Sequence, residues 1–448
     1  MLSTFLIRVA LALALAMVVP SSRAAESPAD ASASAAASAA ARPPIAAAPV
    51  DAAWRAALPR DAKAAAQAYL DRLSPAAIER ANDYFEGGYW LQGAELLLGL
   101  AIAALMLHGR RAARVRDWAS RVARRPALRD ALFGAVYAVA AWALALPLTV
   151  YREFVREHAY GMATQGFGAW AVEQLLTLAV TALLTAVAVA VLYAVFRRAG
   201  ERWWLWGAAM AVTLLAGLIM IGPVFIEPLF NDYKPVEEGP VKESLLVMAR
   251  ANAVPVDKVL EFDASRQTTR VSANVSGMFG TAAVRVNDNL LRRTSLPEIR
   301  AVVAHEMGHY VLNHMLNRLL QFGLLILFGF AFCDWAMRRL FARYGARWGT
   351  RSVADVASLP LLEAVFSVFM ALATPVSNTI IRTQEIEADR FALNLAREPH
   401  GFAEASLKLA EYRKPDPGTL EEFVFFTHPS TRHRLEAAMR WREAMGAP

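Results

Sequence analysis

Residues 296–312 read LPEIRAVVAHEMGHYVL, and this run has the features of a single helix that carries a functional motif. Ser295 precedes the run as a helix N-cap residue, and Glu298 three residues later completes the pattern of a capping box. Pro297 falls in the first turn, where the missing N–H of proline is harmless. Apolar residues at helical spacing lead up to the motif. The sequence therefore predicts a helix with one buried face.

Two histidines on this helix are spaced for metal binding. His305 and His309 are four residues apart, so they share one face of the helix. Two imidazoles one turn apart can bind a single Zn²⁺, and Glu306 then lies where it can take a proton from a metal-bound water. The H-E-x-x-H pattern is a signature of zinc proteases. A structural helix with two surface histidines is the alternative, although a chain with eight histidines seldom forms this pattern by chance.

The composition is that of a membrane protein. Of the 448 residues, 56% are hydrophobic and 19% are charged, which is more apolar than a soluble domain. The single cysteine, Cys333, excludes an internal disulfide and a cysteine-based zinc site. The net charge of +7 comes from arginines beside apolar segments, a pattern that indicates membrane topology. We therefore expect the lipid bilayer as a partner and no nucleic acid.

Six apolar segments are predicted to cross the membrane. They are Tyr89–Leu107, Ala131–Val150, Val172–Phe196, Trp204–Ile226, Met315–Met337 and Leu359–Ser377. Glu95 and Glu363 lie inside two of these segments. A carboxylate there is costly unless it faces a cavity or a partner, so the alternative is a position near the headgroups.

The remaining divisions of the chain follow from composition. Residues 1–25 have the pattern of a signal peptide, with an uncleaved signal anchor as the alternative. Residues 26–66 are predicted to be a low-complexity linker, because Glu26–Val50 is rich in Ala, Ser and Pro. Asp51–Gly88 has helical periodicity with mixed charge, which predicts a short amphipathic lead-in to the first span. Residues 67–233 then form an N-terminal membrane-helix domain. Residues 234–448, which hold the H-E-x-x-H pattern, are predicted to form a peptidase domain that includes the last two membrane helices.

A polar insert separates the fourth and fifth predicted spans. It contains a helical pattern at Val241–Ala253 and β-prone runs at Lys258–Phe262, Val271–Ser276 and Ala282–Asn287, followed by the motif helix. This order predicts a compact α+β unit, and the free edge of one strand can pair with an extended peptide beside the metal. The predicted fold class is thus mainly α: a polytopic helical membrane protein with an α+β zincin-like metallopeptidase domain.

The third metal ligand is expected after the last span, where residues 382–389 have a helical pattern. Glu385 and Asp389 are four apart and share a face. Glu385 can complete the ligand set, and Asp389 can orient one of the ligating histidines. Glu387 is predicted to point elsewhere on the helix.

Three motifs together resemble the M48 metallopeptidases, most closely the Ste24-type CAAX prenyl proteases. They are H-E-M-G-H, the pattern N-x-x-x-R-x-x-E-x-x-A-D at Asn378–Asp389, and Thr427-His428-Pro429 through Arg434-Leu435. The order of elements agrees along Tyr89–Arg440. The resemblance implies a ring of membrane helices around an intramembrane chamber that the zinc site caps.

The resemblance also implies roles for individual residues. One Zn²⁺ per chain would be bound by His305, His309 and Glu385, with Glu306 as the general base. Asp389 is a further active-site acid in the family, whereas helix geometry favours a role in orienting a ligand. His428 matches a histidine that steadies the tetrahedral intermediate; without the resemblance, a capping role is the alternative.

The chain departs from the family pattern in the predicted substrate strand. Ser272-Ala273-Asn274 stands where Asn-Ala-Tyr is frequent, and Ile381 stands where Ser is usual. Prenylated substrates are therefore implied by the family rather than by these residues. Of the other histidines, His314 is expected to be rotated off the ligand face. His433, between two arginines, is expected to resist protonation.

The function we predict is that of a membrane-embedded zinc metalloendopeptidase that acts on membrane-associated or lipidated proteins. A transporter or channel fits the spans but has no use for a zinc-hydrolase motif. A non-catalytic zinc-binding scaffold or quality-control partner fits the ligands, but Glu306 is present. The substrate partner is thus a peptide or protein.

The distribution of arginine predicts an orientation in the membrane. Arginines cluster after the first, third and fifth predicted spans, in residues 110–129, 197–202 and 338–351. If every span crosses, these three segments share one side, which the positive-inside rule makes cytoplasmic. The catalytic domain of this multi-pass protein is then predicted to be periplasmic, with the spans in a bacterial inner membrane. The resemblance to Ste24-type enzymes implies the opposite, cytosolic side.

Overall fold

The structure is a computed structural model that describes residues 47, 50–277 and 282–446. The predicted signal segment and the first part of the predicted linker lie outside the described residues.

The predicted fold class is confirmed, because the described chain is mainly helical with one small sheet. The first helices of the described chain are α1 Ala52–Ala56, α2 Ala62–Leu70, α3 Pro75–Leu107, α4 Arg111–Val122, α5 Pro126–Val150, α6 Arg156–Ala159 and α7 Phe167–Ala199. The helices that follow are α8 Trp203–Ile221, α9 Pro240–Ala251, α10 Asp288–Arg293, α11 Leu296–Val311, α12 His314–Trp348, α13 Leu359–Leu372, α14 Thr374–Ala396, α15 Pro399–Leu409, α16 Thr419–Phe425 and α17 Thr431–Met445.

By length and composition, four helical stretches of the described chain can cross a membrane, or five if a bent helix pair counts as one span. The four are Pro75–Val122, Pro126–Ala159, Phe167–Leu229 and His314–Trp348. The stretch Phe167–Leu229 holds two helices, α7 and α8. A Cβ built on Gly207 of α8 would lie 2.6 Å from the ring of Phe196 in α7, although a straight helix would separate these residues by about 16 Å. The chain therefore turns back at Gly200, which has φ +57°.

The sixth predicted span, Leu359–Ser377, is not one straight helix. The chain breaks after Leu372, and the two helical parts meet at an angle of 59°. Pro375 lies in the first turn of α14. Its ring and missing N–H prevent continuation of the preceding helix, so the break falls just before it. The bend sends α14 toward the motif helix.

All three β-prone runs form strands, and a short fourth strand precedes them. The strands are β1 Tyr233–Pro235, β2 Val259–Phe262, β3 Ala273–Ser276 and β4 Ala283–Asn287. Their order in the sheet is β1-β2-β4-β3; β2 and β4 are parallel, and the two outer pairs are antiparallel. Strand β3 is thus an edge strand, and it packs beside α11.

The apolar side chains form two cores. One lies among the membrane-type helices and is built around Phe133, Phe330 and Phe366. The other joins the sheet to α11 and α17. Helix α14 connects the two, since Ile380 packs on the first core and Leu393 lies in the second. The functional side chains of α14 fall between these two positions.

The chain before residue 67 is more ordered than the predicted linker. Asp61 caps α2 by accepting a hydrogen bond from Ala64 N at 2.7 Å. Ala65 and Ala66 are fully buried in the peptidase core, where α2 packs on α17. The Ala-rich composition here is therefore that of a packed helix, because alanine is the best helix former and permits close helix packing. From Ala52 onward the chain is helical, as the periodicity of Asp51–Gly88 predicts, so the predicted linker boundary at residue 66 lies too far along the chain.

Candidate metal centre

Helix α11 is formed as its sequence predicts. The backbone N–H of Ser295 donates to Glu298 Oε2 at 2.9 Å, and the reciprocal half of the capping box is also present. The helix holds His305 and His309 on one face, with ring centroids 4.8 Å apart and Nε2 atoms 3.1 Å apart. Both rings therefore direct Nε2 to a common point.

Helix α14 brings a carboxylate to that point. Glu385 Oε2 lies 3.1 Å from His305 Nε2, and Glu385 Oε1 lies 3.3 Å from His309 Nε2. Gly308 permits this approach, because a Cβ built there would lie only 3.2 Å from the Cα of Ala388 on α14. The sequence-predicted ligand set is thus brought together by two helices distant in the chain.

The three residues fit a zinc ion. One ligand atom from each lies within 4.8 Å of the other two. A tetrahedral Zn²⁺ with bonds of about 2.0–2.1 Å separates its ligand atoms by about 3.3 Å, which agrees with the 3.1 and 3.3 Å contacts of Glu385 with the two imidazoles. Two imidazoles and one carboxylate also form a donor set found in catalytic zinc sites.

Asp389 lies one helical turn beyond Glu385 and contacts the opposite side of a ligand ring. Its Oδ1 is 2.8 Å from His305 Nδ1, and its Oδ2 is 3.0 Å from Arg434 Nε. Burial lowers the pKa of His305, but hydrogen bonds with Asp389 and Glu385 outweigh burial and raise that pKa to about 9. Asp389 is therefore placed to orient His305, as helix geometry predicts.

Glu306 follows the first ligand directly and is partly buried. Burial raises the pKa of its carboxyl to about 7; the neighbouring Glu385 adds to this rise, while His305 opposes it. A divalent cation at the three ligand atoms would favour the ionised form, which is the form that accepts a proton.

His428 lies between α16 and α17 and reaches the same cluster. Its Nε2 is 3.2 Å from Glu385 Oε2, and its Nδ1 is 2.9 Å from Thr427 Oγ1. The N-cap of α17 is Ser430, which accepts from the backbone of His433. His428 therefore faces the cluster while Ser430 performs the capping.

Two buried arginines lie beside the cluster, and the sequence analysis assigned neither of them a role, although Arg434 is part of the third motif. Arg318 Nη2 donates to Glu385 Oε1 at 2.8 Å, and Arg434 Nη2 lies 3.6 Å from Glu385 Oε2. Arg318 lies four residues into α12, within the fifth predicted span. A lone arginine in an apolar span is itself a sign of a functional partner, so the sequence did contain a signal for it.

The two predicted intramembrane carboxylates both face partners. Glu363 accepts a hydrogen bond from Tyr137 and is buried, and Glu95 pairs with Arg152. They lie among the membrane helices, away from the metal cluster.

Helices that can span a membrane, together with an H-E-x-x-H site completed by a distant glutamate, define a multi-pass membrane metallopeptidase. Comparisons with known proteins agree. Residues 235–442 match the model of peptidase family M48, and residues 57–232 match that of "CAAX prenyl protease N-terminal, five membrane helices". The chain belongs to family M48, in its Ste24-type branch, and is a metalloendopeptidase of a generally zinc-dependent family.

Relatives and a solved structure support this membership. An uncharacterized metalloprotease of Bacillus subtilis is 29% identical over 287 residues, which cover 64% of this chain and 67% of the relative. CAAX prenyl protease 1 of Saccharomyces cerevisiae is 27% identical over 316 residues, covering 65% and 68%. The crystal structure of S. mikatae Ste24p has the same fold, with a TM-score of 0.70 and 20% identity over 82% of this chain and 90% of that one.

Proposed function

We propose that His305, His309 and Glu385 bind one zinc ion per chain, and that the site cleaves membrane-associated or lipidated protein substrates. The observation that carries this proposal is the convergence of three ligand atoms within 4.8 Å directly beside Glu306. When bound, zinc acidifies a water molecule and polarises the scissile carbonyl.

The chain's own residues supply the proton transfers and the orientation. Glu306 accepts a proton from the attacking water and returns it to the leaving amine. His428 reaches the cluster through Nε2 and donates a hydrogen bond to the oxyanion of the tetrahedral intermediate. Asp389 holds the ring of His305 in place through Nδ1.

The substrate class is inferred from relatives and from the edge strand. Relatives in yeasts and plants are named CAAX prenyl protease 1 or its homologue, which supports substrates with a lipidated C-terminus. Strand β3 is the edge strand of the described sheet, since β4 pairs with its other side, and an edge strand can pair with an extended peptide. Asn274 replaces the family's frequent tyrosine on this strand, so we expect a preference that differs from that of the relatives.

The function is tested with Glu306→Gln in the purified full-length protein. We expect the variant to retain zinc and to lose about 10²- to 10⁴-fold in peptidase activity, because an amide cannot accept the proton. Metal content and cleavage of a matched pair of peptides, one prenylated and one not, are the two measurements.

The outcomes separate this proposal from a non-catalytic scaffold. A scaffold would bind zinc but would cleave neither peptide, and this would be true of the wild type and of the variant. Wild-type activity in Glu306→Gln would show that another residue is the base. Equal cleavage of both peptides would contradict a requirement for a lipidated substrate but would still support the peptidase activity.

We infer further that the metal site faces the periplasm of a bacterial inner membrane. The three arginine-rich segments lie at one end of the helices: Arg110 Nη2 donates to Ala346 O at 2.8 Å, and Arg197 Nη1 donates at 2.5 Å to Oδ2 of Asp130, which directly follows the first segment. The Trp203 side chain, next to the second segment, donates to Asp334, next to the third, at 2.7 Å.

The arginine-rich end lies far from the metal site. Helix α12 begins at His314, beside the metal cluster, and ends at Trp348 among the arginine-rich segments. Its 35 residues span about 52 Å at 1.5 Å per residue, more than the hydrocarbon thickness of about 30 Å. If the positive end is cytoplasmic, the metal site lies on the opposite side.

A further inference from the structure

Behind the second metal-binding histidine lies a chain of two further polar side chains. His309 Nδ1 is 2.8 Å from His314 Nδ1, and His314 Nε2 is 3.0 Å from Glu387 Oε2. His314 is almost completely buried, whereas the side chain of Glu387 is about half exposed. None of these contacts involves the space into which His305, His309 and Glu385 direct their ligand atoms.

The position of His314 depends on a break between two helices. Helix α11 ends at Val311, and Asn313 adopts the left-handed conformation with φ +53° before α12 begins at His314. In an uninterrupted helix His314 would be rotated away from His309, as the sequence predicted. The left-handed residue redirects the chain, so that the imidazole of His314 returns to the back of the His309 ring.

A metal bound at His309 Nε2 would determine which nitrogen carries each proton. The ring proton of His309 would then lie on Nδ1, where it is donated to Nδ1 of His314. The proton of His314 then lies on Nε2, where it is donated to Glu387. Every donor therefore has an acceptor, and the chain ends on a carboxylate.

His305 has the same kind of support in a shorter form, because its Nδ1 contacts Asp389 directly. On the assumption of the ligand set given above, we propose that His314, backed by Glu387, is the positioning residue for His309. His314 would fix the ring orientation and tautomer of His309 and thereby raise the zinc affinity of the site. Glu387, which the sequence placed away from the metal, would act through His314 alone.

The test measures zinc affinity by chelator competition in four variants of the full-length protein. His314→Leu keeps most of the side-chain volume but has no acceptor for His309, and we expect zinc affinity to fall about 10- to 100-fold. His314→Asn keeps an oxygen near the position of Nδ1, so part of the affinity should return. Glu387→Ala should weaken binding less than His314→Leu, and Glu387→Gln, which keeps an acceptor, less again.

A spectroscopic measurement separates positioning from a loss of folding. In Co²⁺-substituted protein, His314→Leu should alter the d–d absorption bands, since these report ligand geometry, whereas a distant structural defect would lower occupancy without shifting the bands. If His314→Leu fails to fold, the comparison of Glu387→Ala with Glu387→Gln decides the question, because that side chain is half exposed.

Two results have different consequences. The positioning role would be overturned if His314→Leu had unchanged zinc affinity and unchanged cobalt bands. If His314→Leu is unfolded, the same result in Glu387→Ala would overturn it. Retention of zinc by His309→Ala and Glu385→Ala would instead overturn the ligand set on which the role rests.

Discussion

At the scale of single residues, the environment of Glu385 explains how a buried carboxylate is retained. Arg318, Arg434 and His428 approach its two oxygens at 2.8, 3.6 and 3.2 Å. Removing one member of a buried charged pair costs far more than removing both, because the remaining charge has no compensation. Glu385 therefore contributes to the fold as well as to the metal site.

This dual role predicts a difference between two ligand variants. Glu385→Ala and His309→Ala should both lose zinc, but Glu385→Ala also leaves Arg318 without its carboxylate. We expect the zinc-free Glu385→Ala protein to be less stable than the zinc-free wild type by roughly 3 kcal/mol, and His309→Ala to be affected much less. Metal content and thermal unfolding in EDTA measure the two effects. Equal stability of the two variants in EDTA would contradict the role of the Arg318 pair.

His433 shows how structure can reverse an expectation based on neighbours in sequence. Arg432 pairs with Asp416 at 2.6 Å and Arg434 with Asp389 at 3.0 Å, so both flanking charges are neutralised. His433 Nδ1 lies 2.9 Å from Glu422 Oε2. The hydrogen bond with Glu422 outweighs partial burial and raises the pKa of His433. The prediction that His433 resists protonation is wrong.

The raised pKa predicts a pH-dependent contribution to stability. A folded-state pKa above the unfolded value of about 6.5 stabilises the protein below that value, and the contribution disappears as pH rises through the folded pKa. His433→Gln should therefore destabilise more at pH 6 than at pH 8.5. Because the side chain is about half exposed, we expect a difference below about 1 kcal/mol. Thermal unfolding at the two pH values measures it, and a larger loss at pH 8.5 would contradict the assignment.

At the scale of elements, the site depends on how closely α11 and α14 approach. Gly308 lies between the two ligand histidines, and a Cβ there would be 3.2 Å from both Ala388 Cα and Phe391 Cβ. One contact is with backbone, which cannot rotate away. An added methyl group must therefore move the helices apart by a few tenths of an ångström, and the shift acts directly on the distance between Glu385 and the imidazoles.

Gly308→Ala is expected to weaken zinc binding about tenfold. Global stability should change little, because the better helix propensity of alanine, worth about 1 kcal/mol, offsets the strain. Gly323→Ala is the matched control: its Cβ would meet Val212 at an ordinary 3.5 Å. Chelator competition and thermal unfolding of both variants test this, and wild-type zinc affinity in Gly308→Ala would show that the helices accommodate the methyl group.

At the scale of the whole molecule, the two ends have opposite character. The metal site, the sheet and α17 occupy one end, with a core of their own. The arginine-rich segments meet at the other end of α12. Arg116 ties α4 to this end through Asp355. Because the two ends lie on opposite sides of the membrane, the side on which the arginines lie determines the side of the catalytic domain.

Reporter fusions test the orientation. Alkaline phosphatase fused after Pro448 should be active and green fluorescent protein at the same position should be dark, because the C-terminal segment lies at the metal end. Fusions after Arg125, at the arginine-rich end, are the matched control and should show the reverse. A bright fluorescent fusion and an inactive phosphatase after Pro448 would place the catalytic domain in the cytoplasm.

Features that rest on local physics could be predicted from the sequence alone. The capping box and apolar spacing define α11, the three β-prone runs become β2, β3 and β4, and five of the six predicted spans lie on helices without a sharp break. Helical phase also placed Glu385 and Asp389 on one face. Each of these follows from backbone hydrogen bonding and periodicity within a few residues of the chain.

Features that depend on the approach of distant segments could not be predicted and are seen only in the folded chain. Arg318 and Glu385 meet because the chain bends before α14, and His314 returns to His309 because Asn313 is left-handed. The burial of Ala65 and Ala66 likewise depends on α17, which lies at the far end of the chain. Such contacts cannot be predicted from composition or periodicity, because a single left-handed residue between two helices changes the direction of the whole following helix.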